Sequence, residues 1–364
     1  VRSYDIALVP GDGIGHDVIA EGVRLLRRLQ DLDGGLQFRF TDYPYGCEYY
    51  LEHGAMMEPD ALEKLRQHHA IYFGACGFPG VPDHVSLWGM ILPIRKAFNL
   101  WVNLRPCKLL PGIPGPLRDR GPEDIDFVIV RENTEGEYSG VGGRVHIGGP
   151  DEVAIQSNVF TRTSVERIIR YAFDYAASHG RSSVQSATKS NACQYSMVFW
   201  DEVFDAVAAE YPSLAHQQYH IDALAARCVT HPQTLDVVVG SNLFSDILSD
   251  LGGALMGSLG LPPSANLNPD GGYPGMFEPV HGSAPDIAGK GIANPMAAIW
   301  SASMLLDDLG ETLAAGAVMR ALELVCAEGK VRTPDLGGTA MTNQMGDALL
   351  EALDRVTAGQ ASVV

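Results

Sequence analysis

The stretch Tyr4-Asp5-Ile6-Ala7-Leu8-Val9-Pro10-Gly11-Asp12-Gly13-Ile14-Gly15 sets the terms on which the rest of the chain is read. Its apolar first half, closed by Pro10 and Gly11, predicts a buried strand. The residues after the turn place Val18, Gly22, Leu25, Leu26 and Leu29 at helical spacing. A strand that feeds a helix through a glycine turn is an α/β opening. The turn invites a dinucleotide reading, but Gly-x-Gly-x-x-Gly needs a third glycine and His16 stands in its place. The glycines are better explained by a tight passage of strand into helix. Evidence for a nucleotide has to come from elsewhere in the chain.

Outward from this stretch, apolar runs recur at Ala70–Ala75, Phe127–Val130, Ser183–Ala187 and Asp236–Gly240, most of them leading into amphipathic helices such as Thr161–Ser178. That alternation predicts α/β architecture with a largely parallel sheet. The five prolines between Arg105 and Asp124 mark a crossover or hinge near a domain boundary. From Glu137 to Ile155, glycines interleaved with apolar residues predict an extended hairpin arm, an element suited to reaching a partner subunit.

With 364 residues, 46% of them hydrophobic and 19% charged, the chain has core material for one large or two medium domains. A formal net charge of −18 argues against a nucleic-acid partner, which needs clustered Lys and Arg. Any anionic substrate must be gripped by local cations. The uncharged run Leu251–Pro269 is broken by glycines, Pro262 and Pro263, so it does not read as a membrane span. Six dispersed cysteines without Cys-x-x-Cys, and no basic-apolar leader before the first strand, make the cytoplasm the expected location.

Asp246 and Asp250 lie four apart in a predicted helix for which Asn242 is the expected N-cap. That spacing puts both carboxylates on one face, where they repel unless a cation lies between them. Oxygen ligands with open positions suit Mg²⁺ or Mn²⁺. The competing reading is a solvated acidic face, which the apolar neighbours Leu243, Phe244, Ile247 and Leu248 disfavour. Asp222, after strand-like Tyr219-His220-Ile221, is a third candidate. Arg95, in a predicted helix Leu87–Ala97, and Arg105 and Arg131, at strand ends, stand out in a chain poor in cations. Guanidinium forks match carboxylates, so their convergence would suit a di- or tricarboxylate. Lys189 ends a strand-like run; near a metal and arginines it would release its proton more readily and serve as a general base. Ser186-x-x-Lys189 also matches a Ser-Lys nucleophile motif, but the partner motifs Ser-Asp-Asn and Lys-Thr-Gly do not occur.

Glu278-Pro279-Val280-His281-Gly282-Ser283-Ala284-Pro285-Asp286-Ile287-Ala288-Gly289-Lys290, with Ala293-Asn294-Pro295, resembles the coenzyme loop of the β-decarboxylating dehydrogenases, the family of isopropylmalate and isocitrate dehydrogenases. Pro10–Gly15, Asn103–Pro106, Arg131–Tyr138, Lys189–Asn191 and Asn242–Asp250 extend the likeness, in order, along nearly the whole chain. The resemblance implies an α/β two-domain fold of the isopropylmalate/isocitrate dehydrogenase kind, with a largely parallel central sheet and not a Rossmann fold. Residues 1–98 plus 255–364 would form a large coenzyme-binding domain. Residues 99–254 would be an inserted small domain carrying the dimerisation arm.

It further implies Asp222, Asp246 and Asp250 as Mg²⁺ or Mn²⁺ ligands, Arg95, Arg105 and Arg131 as substrate-carboxylate arginines, and Tyr138 with Lys189 as the acid–base pair. Asn242, His281, Gly282, Ser283, Ala284, Asp286 and Asn294 would meet NAD, and K⁺ is a further expected cofactor. In a homodimer with shared active sites, Lys189 and Asp222 would come from the neighbouring chain. Asp286 favours NAD over NADP, since a carboxylate accepts from a ribose diol and repels a 2′-phosphate. Trp88 stands seven before Arg95, where isopropylmalate enzymes resemble this stretch but carry an acid, and the serine of isocitrate enzymes is missing. An indole there would shrink the pocket toward a four-carbon diacid such as tartrate or D-malate. Against this, Trp88 could simply pack its helix, and a non-catalytic metal- or nucleotide-binding protein is the alternative from a different class.

Overall fold

The computed structural model describes residues 1–361. In chain order the strands are β1 (Arg2–Gly11), β2 (Leu36–Asp42), β3 (Ala70–Ala75), β4 (Val102–Lys108), β5 (Asp126–Glu132), β6 (Gly136–Val145), β7 (Val153–Val159), β8 (Ser183–Thr188), β9 (Ala215–His220), β10 (Val237–Gly240), β11 (Pro263–Leu267) and β12 (Gly275–Pro279). The chain divides into two compact units, Val1–Leu100 with Lys108–Pro122 and everything from Gly253 onward, and Trp101–Cys107 with Glu123–Gly252.

In the first unit the strands run β2-β1-β3-β12-β11, parallel except for the antiparallel β11–β12 pair. All six residues of β3 are buried, which is why an unbroken apolar run marks it. The helix Ile14–Asp33 buries Ile14, Val18, Ile19, Leu25, Leu26 and Leu29 along one stripe. Gly22 is required there, since a Cβ would come within 1.9 Å of Tyr72 Oη, whose hydroxyl donates to the Ala298 carbonyl at 2.6 Å. The opening glycine turn is structural: Gly11 has φ 72°, and its Cβ would lie 1.8 Å from the Ala75 carbonyl oxygen.

Two features differ from the sequence expectation. Lys108–Pro122 belongs to the first unit and not to the inserted middle. Leu109, Leu110 and Ile113 are buried in it, and Arg332 Nη2 donates to the Gly112 carbonyl at 2.8 Å. The segment expected to be one helix, Leu87–Ala97, contains a π turn at Leu87–Ile91, with Leu92 N–H bonded back to Leu87 O. Pro93 supplies the reason. It has no N–H to give to Gly89, and its ring would strike that carbonyl in a regular helix, so the turn widens.

In the second unit the order is β4-β5-β10-β8-β9, with β5, β10, β8 and β9 mutually parallel. Their carboxyl ends therefore share one edge, the place where open parallel sheets display functional groups. The helix Arg162–Ser178 starts at Thr161, whose hydroxyl accepts from Ser164 N–H. β6 and β7 form a separate two-stranded antiparallel arm. No helix among the described residues is long and apolar enough to cross a membrane.

Candidate active site

Arg131 ends β5 and is 1% exposed. Its Nε and Nη2 donate to Asn242 Oδ1 at 3.0 and 2.8 Å, and its Nη1 donates to Asp246 Oδ1. Arg105, on β4, donates through Nε to Asn103 Oδ1 at 2.7 Å and through Nη1 to Ser249 Oγ at 2.6 Å and Asp246 Oδ1 at 3.3 Å. Tyr138, on β6, donates its hydroxyl to Asp246 Oδ2 at 2.9 Å, and the Arg131 guanidinium lies 5.7 Å from its ring centre. Asp246 thus gathers two cations and a phenol onto one carboxylate.

Burial, and next the Asp246 charge, push the Tyr138 phenol up to about 12, so it keeps its proton at neutral pH. Asp250, one turn beyond Asp246 on the helix Asn242–Leu255, has its carboxyl raised by partial desolvation first and by Asp246 second. Asn242 is not the cap: its side chain is taken by Arg131. Ser241 Oγ accepts from Phe244 N–H at 3.4 Å, while Glu137 accepts from Ser241 Oγ at 2.9 Å and Leu243 N–H at 3.1 Å.

On the same sheet edge Lys189 follows β8 and Asp222 follows β9, and Lys189 Nζ donates to Asp222 Oδ1 at 2.6 Å. That bond holds the Asp222 carboxyl below its ordinary value. Lys189 therefore meets a carboxylate and not the arginines. β8 is two strands from β5, so their ends are separated by roughly 10 Å of backbone.

The remaining candidates belong to the first unit. Arg95, 5% exposed, donates through Nη2 to Glu278 Oε1 at 3.0 Å, and Asn266 Nδ2 donates to the same oxygen at 2.8 Å. Arg95 Nε is buried without a partner. Trp88 rides the π turn with 43% of its surface exposed, so it does not pack into the core; Lys96 Nζ sits 4.7 Å from its ring centre. His281 Nδ1 lies 2.9 Å from Gly282 O, which assigns the proton to Nδ1 and leaves Nε2 a bare acceptor, buried and unpartnered. Burial lowers its pKa, keeping the ring neutral. Ser283 O accepts Ile14 N–H at 2.8 Å, Ala284 has φ 41°, and Gly282 and Asp286 are exposed. Asn294 Oδ1 accepts Met296 N–H at 3.0 Å and its Nδ2 donates to Asp335 at 2.9 Å, so this side chain opens the helix Met296–Asp308.

Sequence reasoning gave no role to Asn103, Ser249, Glu137 and Glu278, although all four lie within the stretches that carry the resemblance. Asn103 stands two before Arg105 on one strand face, and Ser249 three after Asp246 on one helix face, so spacing held those two signals. Glu137 and Glu278 act across long separations that no spacing announces.

This fold and its charged sheet edge belong to a known class of dehydrogenase: the model of the isocitrate/isopropylmalate dehydrogenase family matches residues 5–349, and the chain belongs to that family. It is thus an oxidoreductase of the hydroxy-acid kind. Over 362 residues it is 51% identical to the D-malate dehydrogenase [decarboxylating] of Escherichia coli (strain K12), covering 98% of this chain and 100% of that one. The tartrate dehydrogenase/decarboxylase of Pseudomonas putida is 51% identical over 363 residues, 98% and 99% of the two chains. The crystal structure of isocitrate dehydrogenase from Methylococcus capsulatus has the same fold, with a TM-score of 0.87 at 35% identity over 96% of this chain and 99% of that one.

Proposed function

We propose that the protein catalyses NAD-dependent, divalent-metal-dependent oxidation of tartrate and D-malate, carrying D-malate to pyruvate and CO₂. The observation that carries this reading is Asp246, a carboxylate shared by Arg105, Arg131 and Tyr138 with Asp250 one turn away. Arg105 and Arg131 hold one substrate carboxylate in a buried, bidentate-capable frame. Lys189 would take the 2-hydroxyl proton, and NAD, held by the loop around His281 and Asp286, would supply the acceptor for the C2 hydride, so that the 2-oxo acid results. The carboxylate on the adjacent carbon then leaves as CO₂, its bonding electrons forming the C2–C3 enolate. Tyr138, still protonated, delivers its proton to C3.

Asp222, Asp246 and Asp250 are an all-oxygen donor set, and the Asp250 carboxyl, raised by desolvation first and by the Asp246 charge second, is a group whose ionised form a bound cation would favour, so the residues fit Mg²⁺ or Mn²⁺. Such an ion supplies Lewis acidity to the charge developing on substrate oxygens. The 50% or higher identity with tartrate and D-malate dehydrogenases over nearly full length supports the substrate class. The exposed Asp286 supports NAD.

In this reading the active sites are shared in a homodimer, with Lys189 and Asp222 serving the neighbouring chain's Asp246 and Asp250. The arm supports it: Val141, Val145, Ile147, Val153 and Ile155 are 46–72% exposed on one hairpin, an apolar surface that a partner would cover. The test is NAD reduction by the purified protein with Mn²⁺ and each acid in turn. D-malate and tartrate are expected to be turned over. Efficient turnover of 3-isopropylmalate or isocitrate without these two overturns the assignment.

A further inference from the structure

Asp12, in the glycine turn after β1, is fully buried, and among the described residues no Lys or Arg pairs with it. Its carboxylate rests on backbone amides instead, accepting from Cys47 N–H at 2.8 and 3.0 Å, Gly77 N–H at 2.9 Å and Glu48 N–H at 3.3 Å. Amide dipoles lower the cost of a buried charge without cancelling it. The space for the carboxylate is made by Gly46, where a Cβ would stand 2.7 Å from Asp12 Oδ1. Facing it are two thiols. One carboxylate oxygen of Asp12 and the sulfurs of Cys47 and Cys76 all lie within 4.8 Å of one another. Cys47 is wholly buried, whereas Cys76 is partly exposed and opens the cluster to solvent. Burial raises both thiols, Cys47 to about 12, so both stay protonated until something replaces the protons.

We propose that Asp12, Cys47 and Cys76 form a binding site for a soft divalent cation such as Zn²⁺ or Cd²⁺, separate from the aspartates of the second unit. Thiolates select soft cations over Mg²⁺ and Mn²⁺, which prefer the all-oxygen set. Two sulfurs and one oxygen make three ligands of a tetrahedron, and a water reaching past Cys76 completes it. On binding, two S–H bonds break, two metal–sulfur bonds form, and two protons leave to solvent. The cluster carries a net charge of −1 before and after, so occupancy adds no uncompensated charge to the core. Asp12 stands two residues before Ile14, whose N–H donates to Ser283 O at 2.8 Å.

The test is a Cd²⁺ titration of the reduced, full-length protein in excess Mg²⁺, followed by the thiolate-to-cadmium charge-transfer absorbance. One equivalent should produce the band. Cys47→Ser and Cys76→Ser should each remove most of it and weaken binding by about tenfold or more, while NAD reduction without cadmium persists. As a control needing no variant, Cd²⁺ should protect Cys76 of the wild-type protein from alkylation while Cys193 stays reactive. Overturning results are a band that survives both serine variants, a band lost only with Cys193→Ser, or cadmium binding without a band that more Mg²⁺ displaces. This readout does not depend on the coenzyme or substrate assignment.

Discussion

Asp246 accepts from two guanidiniums and a phenol, whereas His281, in the segment expected to meet the coenzyme, keeps a buried ring nitrogen with no partner. The two regions are organised by different means. At the carboxyl edge of β5 and β10 charged side chains position one another, so an incoming anion or cation must trade places inside an existing network. Between His281 and Ala284 the backbone does the positioning, through the Ser283 carbonyl and the left-handed Ala284, and His281 Nε2 is left without a partner. The difference teaches where substitutions should be severe: removing a shared acid disorders several groups at once, while changing one exposed loop residue alters one contact.

The largest effect is therefore expected from Asp246→Asn. It removes the negative charge that Arg105 and Arg131 share, leaves one acceptor oxygen where the guanidiniums and Tyr138 now use two, and weakens any divalent site, and kcat/KM should fall by roughly 1000-fold. A loss below tenfold would mean Asp246 is not the centre of the site. Next is Tyr138→Phe, which should slow CO₂ release from D-malate by about 100-fold and affect hydride transfer less. Because the phenol is raised to about 12, it stays protonated through the mildly alkaline range. An alkaline limb of the rate profile well below pH 12 should thus sit at the same pH in wild type and variant; a limb that disappears in the variant would assign that ionisation to Tyr138 after all. In the loop, Asp286→Lys should shift the NAD/NADP preference by about 10- to 100-fold toward NADP, the range left once solvent screens an exposed charge. Steady-state kinetics with both coenzymes decide it, and an unchanged ratio removes Asp286 from coenzyme selection.

How much of this was legible depends on the range of the interaction. β3 and β10 announced themselves because both faces are buried, and Asp246 with Asp250 because four residues is one helical turn. Asn242 looked like a cap because its residue type favours one, but Arg131, reaching it across 111 positions, claims its side chain and leaves the cap to Ser241 and Glu137. The π turn before Arg95 follows from Pro93, a local cause with a readable signal. Lys189 meeting Asp222 across 33 positions had none, since it requires knowing that β8 and β9 are neighbours.

The smallest expected effect tests whether the acidic face is strained. Asp250 has its carboxyl raised, so between the unfolded and folded values the native state holds the extra proton, and stability falls as pH rises through that window. The penalty then persists at neutral pH. Asp250→Asn should accordingly raise the unfolding free energy of the metal-free protein at pH 7 slightly, by less than about 1 kcal/mol after allowing for solvent screening, with a small rise in melting temperature. The gain should vanish below about pH 4, where both states of the wild-type carboxyl are protonated. Adding Mn²⁺ should reverse the ranking, because an ion that binds only the native state stabilises the protein that can hold it. A variant that is less stable at neutral pH without metal, or that gains as much from Mn²⁺ as wild type, would show that Asp250 is an ordinary solvated acid. It would leave the Asp246 network a substrate-binding device with no paired carboxylate behind it.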